Sequence, residues 1–311
     1  MTAAPQNKIR PRVSVLMTIY NAEPYLEEAV NSILAQKFSD WELIAINNGS
    51  KDQSAETLST YDDPRVRVFI LPENIGRTPA LRYAFEQARG EYIAVLDADD
   101  VALPERLARQ VEFLDNHADV VLVGTWTQVI DEMGCIISTL EPPINSDEIH
   151  DCLGWATPMV HSSVMYRSLS ASKVGGYPEE FSYAQDLALF QRLSKVGRLA
   201  VIDDFLCQWR TSSKSFTHLS RNRLLIAYEQ LEIFKVAAQH LPLSARSSRI
   251  NHLAIARAEV RYGLAKLRNR SFFSGLQNIL KGLVRCPLLV WQNDRVRRYF
   301  GLQQDVYWWK Q

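Results

Sequence analysis

Apolar residues in the first hundred positions alternate between short continuous runs and helical spacing. The runs 13–19, 41–46, 66–70 and 92–96 are apolar and largely β-branched, which is typical of strands buried on both faces. Between them, apolar residues recur every three or four positions and predict amphipathic helices. The residues that define the two clearest stripes are Leu26, Ala29, Val30, Ile33 and Leu34, then Leu81, Ala84, Phe85 and Ala88. This alternation predicts an α/β fold with a parallel sheet and right-handed crossovers.

The pattern after residue 100 is less regular. Pro104 is typical of a first helical position, so we expect a helix from Pro104 to about Asn116 with Leu103 at its cap. A strand is predicted at 120–123, followed by an irregular stretch through Pro142 and Pro143.

The last third of the chain changes character. Apolar spacing predicts a helix over 186–193, and residues 201–202 and 205–209 resemble short edge strands. From about Leu219 onward the pattern is that of long helices with few helix-breaking residues. We therefore expect two domains, an α/β domain over residues 1–218 and a basic helical region over 219–311.

An acidic cluster follows the fourth predicted strand. Asp97, Asp99 and Asp100 come directly after the run 92–96, and so lie at the carboxyl edge of the predicted sheet, where open α/β folds bind ligands. Neighbouring carboxylates can hold Mg²⁺ or Mn²⁺ and leave room for phosphates. The alternative is that Asp99 or Asp100 caps the next helix, but Pro104 places that cap beyond them.

The formal net charge of zero hides an uneven distribution. Residues 221–311 contain 16 basic and 5 acidic side chains, a balance of +11, so residues 1–220 carry a balance of −11. The basic part could face an anionic membrane or polyanion, or it could dock on the acidic domain. Both alternatives stay open at this stage.

Cysteine spacing and hydropathy bear on the compartment. The four cysteines are scattered without a C-x-x-C pair, which argues against a disulfide framework and favours a reducing environment. No apolar signal core precedes Val13, and no run of 18 apolar residues occurs. We expect a cytoplasmic protein, with a peripheral contact to the inner face of the membrane as a further option.

Several segments in order resemble the inverting glycosyltransferases of family 2, which have the GT-A fold and bind nucleotide sugars. The resemblance covers roughly residues 12–210 and is strong because six or more pieces occur in the family's order and spacing. The matching segments are residues 13–26, 32–36, 41–44, 48–52, 74–76, 88–93, 97–100, 175–177, 183–186 and 193–197.

The resemblance implies a set of residues that bind the nucleotide-sugar donor. This set consists of Thr18, Tyr20, Asn21, Asn47, Asn48, Asn74, Gly76, Asp97, Ala98 and Arg210. Tyr20 would stack on the base, although a buried structural tyrosine is an alternative. Asn47 and Asn48 replace two acids that are more usual in the family, and a simple turn at 47–49 is the other interpretation.

The implied metal ligands are Asp99, directly, and Asp97, which would face the ribose or a metal-bound water. The ion would be Mn²⁺ or Mg²⁺, bridging the diphosphate and neutralising the charge of the leaving nucleotide. It would also offset the repulsion between the aspartates. Arg210 would approach the diphosphate, while Ser212 stands where the family often has a histidine that can serve as a third ligand.

Asp186 is the implied general base. An inverting transfer is a single displacement in which one carboxylate takes the proton of the acceptor hydroxyl. The alternative is that Asp186 is an N-cap, because it stands at the start of a predicted helix. Gln185 replaces the glutamate usual before the base, and His161 is either a structural hydrogen-bonding residue or part of the acceptor side.

The C-terminal segment mixes cations with aromatic residues, as interfacial helices do. Packing of these residues in a core or a dimer interface is the alternative. They are Trp291, Arg295, Arg297, Arg298, Tyr307, Trp308, Trp309 and Lys310.

The expected partners are a nucleotide-sugar donor and a glycan or lipid-linked acceptor, with no nucleic acid. A UDP-sugar is favoured and a dTDP-sugar is the other candidate. A sugar nucleotidyltransferase should have a glycine-rich loop after its first strand, and residues 18–24 contain no glycine. A non-catalytic nucleotide-sugar-binding subunit of a glycan-assembly complex is the alternative function. If the basic tail instead bound nucleic acid, its binding would be lost at moderate salt concentration.

Overall fold

A computed structural model describes residues 10–212 and 222–286 as an α/β fold with three helices at its C-terminal end. Strands β1 to β9 cover Val13–Ile19, Trp41–Asn48, Val66–Leu71, Tyr92–Val95, Val101–Ala102, Val120–Ile130, Ile136–Leu140, Met165–Arg167 and Arg198–Arg210. Helices α1 to α10 cover Glu23–Leu34, Ser54–Ser59, Arg77–Gln87, Arg106–Asn116, Ser146–Cys152, Ser168–Lys173, Gln185–Leu193, Arg223–His240, Ala245–Arg268 and Phe272–Arg285. A short 3₁₀ helix spans His161–Ser163.

The first four strands pair in the order β3-β2-β1-β4, all parallel, which confirms the parallel half predicted from the apolar runs. Alternate residues of these strands enter two different cores. Leu16 packs in the core that also holds helix α3, while Val15 packs in the core that holds α1. Because both faces are covered, nearly every residue of β1 and β2 is buried.

The rest of the sheet is mixed, in the order β4-β8-β6-β9-β5, with β7 paired to β6. Here two predictions were wrong. The irregular stretch after residue 123 is a hairpin of β6 and β7, and the two supposed edge strands form the single strand β9, which lies between β6 and β5. The two-residue strand β5 is too short to give a sequence signal, yet its pairing places β9 inside the sheet.

The start of α4 was predicted two residues too early. The helix begins at Arg106 with Glu105 at its N-cap position, and Pro104 lies in the preceding turn. The Arg106 N–H donates to the Leu103 carbonyl, which makes this turn tighter than an α-helix. The acidic residues at 97–100 still lie outside the cap, so the capping interpretation of Asp99 and Asp100 is not observed.

The C-terminal helices confirm the helical extension within residues 222–286. Helix α8 contributes Ile233 and Ala237 to the same core as the sheet, and its C-cap residue Leu241 packs there too. The division at residue 218 stays a prediction, and the tail residues from Trp291 to Lys310 lie outside the described part of the chain. Among the residues that the structure describes, no helix has the length and apolarity needed to cross a membrane.

Candidate active site

The acidic cluster forms a tight turn directly after β4. The Asp100 N–H donates to the Asp97 carbonyl at 3.1 Å. One carboxylate oxygen from each of Asp97, Asp99 and Asp100 lies within 4.8 Å of the other two. The sequence therefore brings three negative side chains to one point at the carboxyl edge of the parallel sheet.

The turn is held in place by Ser162 in the 3₁₀ helix. The Ser162 hydroxyl accepts a hydrogen bond from the Asp97 N–H at 3.0 Å and donates to the Asp100 carboxylate. The other Asp100 oxygen accepts from the Arg210 N–H at 2.8 Å, and only 1% of Asp100 is exposed. Asp100 is thus engaged by protein groups, whereas Asp97 and Asp99 are only partly buried.

The three carboxylates differ in their electrostatics. Burial, followed by the charge of Asp97, raises the pKa of Asp99 to about 6. Burial and the neighbouring acids also raise the pKa of Asp100 well above its ordinary value. Burial acts in the same sense on Asp97, but the charges and hydrogen bonds of Arg77 and His161 outweigh it and lower the pKa of Asp97.

This donor set fits a hard divalent cation. Carboxylate oxygens are the ligands that Mg²⁺ and Mn²⁺ prefer, and a cation would relieve the repulsion that raises the pKa of Asp99. Asp97 and Asp99 have the exposure that a ligand shared with a substrate phosphate requires. Asp100 is the least available of the three, because it is almost fully buried and Ser162 and Arg210 bond its two oxygens. Both oxygens of Asp97 accept from Arg77, but its side chain is 22% exposed.

Arg77 occupies the centre of the site. Its Nη2 donates to both oxygens of Asp97, at 2.7 and 2.8 Å, and lies 3.3 Å from His161 Nδ1. Partial burial acts to lower the pKa of Arg77, but the charges of Asp97, Asp186 and Asp99 raise it above its ordinary value. Arg77 is therefore a counter-ion common to the acidic turn and the proposed base.

His161 belongs to a buried hydrogen-bonded chain behind Arg77. Its Nε2 lies 2.9 Å from the Tyr177 hydroxyl, and Tyr166 donates to the same hydroxyl at 3.3 Å. His161 Nδ1 also lies 3.9 Å from Asp97 Oδ1, so it faces both members of the Arg77–Asp97 ion pair. These contacts fit the structural role considered for His161, while a part in binding the acceptor stays a prediction.

Asp186 lies in the first turn of α7, with Ala184 at the N-cap position. The N-cap interpretation is therefore not observed, and Asp186 accepts a hydrogen bond from the adjacent Leu187 N–H at 2.7 Å. The Gln185 amide, oriented with its oxygen toward Arg77, accepts from Arg77 Nε at 3.2 Å. The role of Asp186 as general base stays a prediction, because the structure does not locate the acceptor hydroxyl.

The segment that leads into α7 is held from the C-terminal region. Glu229 of α8 is 1% exposed, and its two oxygens accept hydrogen bonds from the N–H groups of Ser182, Tyr183 and Ala184 at 2.7–3.0 Å. A buried carboxylate bonded to three backbone donors fixes the path of this segment. Through it, α8 sets the position of Asp186.

The carboxyl end of β2 contacts the loop before α3. Asn48 is the last residue of the strand, so the alternative of a simple turn at 47–49 does not hold for it. Its amide nitrogen donates to Asn74 Oδ1 at 3.2 Å and to the Gly76 carbonyl at 3.1 Å. The Asn48 oxygen accepts from the Ile75 N–H at 3.0 Å. Gly76 has φ +94°, a conformation that favours glycine. The structure thus brings Asn48, Asn74 and Gly76 together in one hydrogen-bonded loop.

The carboxyl end of β1 lies beside that of β2. Thr18 pairs with Ile46 in the register, and Asn21 Oδ1 accepts from the Lys51 N–H at 2.8 Å. Asn47 is buried in β2, where its Oδ1 accepts from the Ser50 N–H at 3.0 Å. Tyr20 is 49% exposed, so the interpretation as a buried structural tyrosine was wrong. Base stacking by Tyr20 and donor contacts by the other residues stay predictions.

Arg210 lies beneath the acidic turn with 2% of its side chain exposed. Its Nε donates to the Asp99 carbonyl at 2.8 Å, Nη1 donates to the Asp131 carbonyl at 3.0 Å, and Nη2 pairs with Glu28. All three guanidinium nitrogens of Arg210 are therefore bonded to oxygen atoms of the protein itself. A contact with the diphosphate stays a prediction for Arg210, as does the donor contact of the buried Ala98.

Sequence reasoning missed Arg77, Ser162 and Glu229 as contributors to this site. Arg77 directly follows the matched segment 74–76, so a cation next to that loop was an available signal. Ser162 and Glu229 gave no signal, because a lone serine and a glutamate within a helical pattern are common in any protein.

Comparison with known proteins places the chain in a family. The family model described as Glycosyl transferase family 2 matches residues 14–174. EpsE of Bacillus subtilis strain 168, provisionally named a glycosyltransferase, is 30% identical over 287 residues, which cover 88% of this chain and 98% of EpsE.

Two solved structures show the same fold at low identity. S. aureus TarS 1–349 in complex with UDP-GlcNAc has a TM-score of 0.66 and 18% identity, covering 88% of this chain and 79% of that one. The mannosyltransferase PcManGT of Pyrobaculum calidifontis, in complex with GDP-Man and Mn²⁺, has a TM-score of 0.61 and 19% identity, covering 95% and 83%. With its GT-A fold and a family match over half its length, the chain belongs to glycosyltransferase family 2.

Proposed function

We propose that this enzyme transfers one sugar from a nucleotide-diphosphate donor to a hydroxyl of a glycan or lipid-linked acceptor, with inversion at the anomeric carbon. The observation that carries the proposal is the position of Arg77, which bonds Asp97 and is charge-coupled to Asp186 and Asp99. The carboxylates proposed for the donor side and for the acceptor side therefore share one counter-ion. A single displacement needs groups on both sides of the sugar, because the leaving diphosphate and the attacking hydroxyl lie on opposite sides of it.

In the proposed reaction the acceptor oxygen forms a bond to the anomeric carbon while the bond to the diphosphate oxygen breaks. Asp186 takes the hydroxyl proton as general base. Asp97 and Asp99 would hold Mn²⁺ or Mg²⁺, which when bound neutralises charge on the leaving nucleoside diphosphate. Gln185 and His161 orient Arg77 through the hydrogen bonds described above.

The donor nucleotide is proposed to be UDP, with dTDP as the second candidate. Its base would lie at the carboxyl ends of β1 and β2, near the exposed Tyr20 and the buried Asn47. TarS was solved with UDP-GlcNAc and PcManGT with GDP-Man, so the shared fold accommodates more than one base. The base must therefore be identified by experiment.

A thermal-shift panel tests the proposal directly. Uridine, thymidine and guanosine diphosphosugars are each added with and without Mn²⁺, because a ligand of the native state raises the melting temperature. We expect one nucleotide class to stabilise the protein, and only with the metal present. Equal melting temperatures across the whole panel would contradict the proposal, and stabilisation without any turnover of a stabilising donor would favour the non-catalytic binding subunit.

A further inference from the structure

The outward side of α10 is apolar. Five large apolar side chains of this helix are more than half exposed, with Phe273 at 89% and Val284 at 79%. We refer to these residues as the α10 apolar face, which consists of Phe272, Phe273, Leu276, Leu280 and Val284. Their three- and four-residue spacing puts them on one side of the helix, where water would otherwise contact a continuous hydrophobic strip.

The opposite side of α10 packs on α9 through glycines. Gly275 and Gly282 are the buried residues of α10 and stand seven residues apart, or two helical turns. A Cβ at Gly282 would lie 2.5 Å from the Ala256 carbonyl oxygen, and one at Gly275 would lie 2.9 Å from the Gly263 carbonyl oxygen. The backbones of α9 and α10 are therefore in contact. Such close packing requires the glycines of α10 to face α9, and this leaves the large apolar side chains of α10 on its outer side.

The surroundings of the α10 apolar face are strongly basic. Residues 245–286 contain nine lysine and arginine residues and one acidic residue, Glu259. Glu259 is 4% exposed and pairs with Arg285 at 3.2 Å, so it does not offset the cations at the surface. Exposed Lys281 lies on α10 itself, and exposed Arg268 and Arg270 lie just before it.

We propose that the α10 apolar face docks on an anionic lipid bilayer, with the helix in the plane of the interface. Large apolar side chains would enter the boundary between headgroups and acyl chains, while Lys281, Arg268 and Arg270 would contact lipid phosphates. An exposed apolar strip bordered by cations, without an exposed acid on α9 or α10, is complementary to such a surface in both hydrophobicity and charge.

Charge favours lipid over a second copy of the chain. A two-fold dimer through this face would bring the same cationic borders of two molecules together, at an electrostatic cost. An anionic bilayer turns the same cations into favourable contacts. The membrane interaction is independent of the proposed sugar transfer, because it is measured without donor or acceptor.

The test is vesicle flotation of the full-length protein. Phosphatidylcholine vesicles are compared with vesicles that contain about 30% phosphatidylglycerol, whose anionic headgroups attract basic segments. We expect at least tenfold stronger binding to the anionic vesicles, and at least a tenfold loss in the double variant Phe273→Ser/Leu280→Ser. The matched control Met133→Ser/Ile137→Ser removes two exposed apolar side chains of the β6–β7 hairpin, and it should bind like the wild type.

Every other result overturns the proposal. If the double variant binds vesicles as well as the wild type, the membrane contact lies elsewhere, for example in residues 287–311. If the double variant instead abolishes a concentration-dependent dimer in light scattering and the wild type ignores vesicles, the face is an interface between copies. Melting temperatures within 2–3 °C of the wild type, roughly the shift that about 1 kcal/mol causes in a chain of this size, show that the variants are folded.

Discussion

Glu229 of α8 and Ala184, the N-cap residue of α7, are joined by a 3.0 Å hydrogen bond from the Ala184 N–H to the Glu229 carboxylate. The same carboxylate accepts from the two preceding N–H groups. These contacts connect the C-terminal helices to the segment that presents Asp186. They give the basic helical region a structural role in the active site, whatever else it binds.

Replacing Glu229 with alanine should therefore weaken both the fold and the site. Three backbone donors would lose a charged acceptor in a buried position, which should lower the free energy of unfolding by at least about 2 kcal/mol. Urea denaturation measures this loss. Glu232→Ala is the matched control, because Glu232 is partly exposed and pairs with Lys235 three residues away. That variant should change stability by less than about 0.5 kcal/mol, and equal losses in the two variants would contradict the assignment.

Alanine substitutions of the adjacent residues Asp99 and Asp100 should have different effects, the first on metal binding and the second on stability. Asp99→Ala should abolish the Mn²⁺-dependent rise in melting temperature with donor, while the ligand-free protein stays as stable as the wild type, since repulsion within the turn falls. Asp100→Ala should lower stability by about 1–3 kcal/mol because Ser162 and the Arg210 N–H lose their acceptor. Reversed phenotypes in these two variants would show that the proposed ligands are misassigned.

Asp186→Asn should spare donor binding and remove most turnover. The amide keeps the size of the side chain but cannot take the acceptor proton, so kcat should fall by about 10²- to 10⁴-fold. Calorimetric titration with donor and Mn²⁺ provides the binding control and should give an unchanged Kd. Sugar transfer by Asp186→Asn at nearly the wild-type rate would exclude Asp186 as the base.

Gly282→Ala tests the packing that turns the α10 apolar face outward. Alanine favours helix by about 1 kcal/mol over glycine, but its Cβ would lie 2.5 Å from the Ala256 carbonyl oxygen. We expect a net loss of about 1–3 kcal/mol from overpacking, measured by chemical denaturation. Gln277→Ala, an exposed change on the same helix, should be neutral or slightly stabilising. A stabilised Gly282→Ala protein would mean that α9 and α10 are farther apart than described.

The parallel half of the fold could be predicted because its strands are continuous apolar runs between amphipathic helices. Two of its three strand pairs, β1 with β2 and β2 with β3, also join strands that are consecutive in the chain. The second half could not be predicted in the same way. Strand β9 pairs in parallel with β6, whose paired residues lie 77 to 80 positions earlier, and its other neighbour β5 has two residues. Long-range pairing of this kind leaves no local trace in the sequence.

The candidate site was partly predictable for a similar reason. Asp97 and Asp99 follow a recognisable strand, so their place at the sheet edge could be predicted from the local pattern. Arg77 reaches Asp97 from a different loop, 20 residues away in sequence. Arg210 shows the opposite case, because its residue type suggested a phosphate contact while its side chain is bonded to main-chain carbonyls and Glu28.

The Ser162 hydroxyl, which joins the backbone of Asp97 to the carboxylate of Asp100, has a kinetic consequence. Because these two hydrogen bonds fix the shape of the turn before the donor binds, little free energy is lost in ordering the turn on binding. Association should accordingly be a single exponential whose rate rises linearly with donor concentration. Differences in affinity among donors would then report the contacts of each sugar and base, free of any contribution from loop folding.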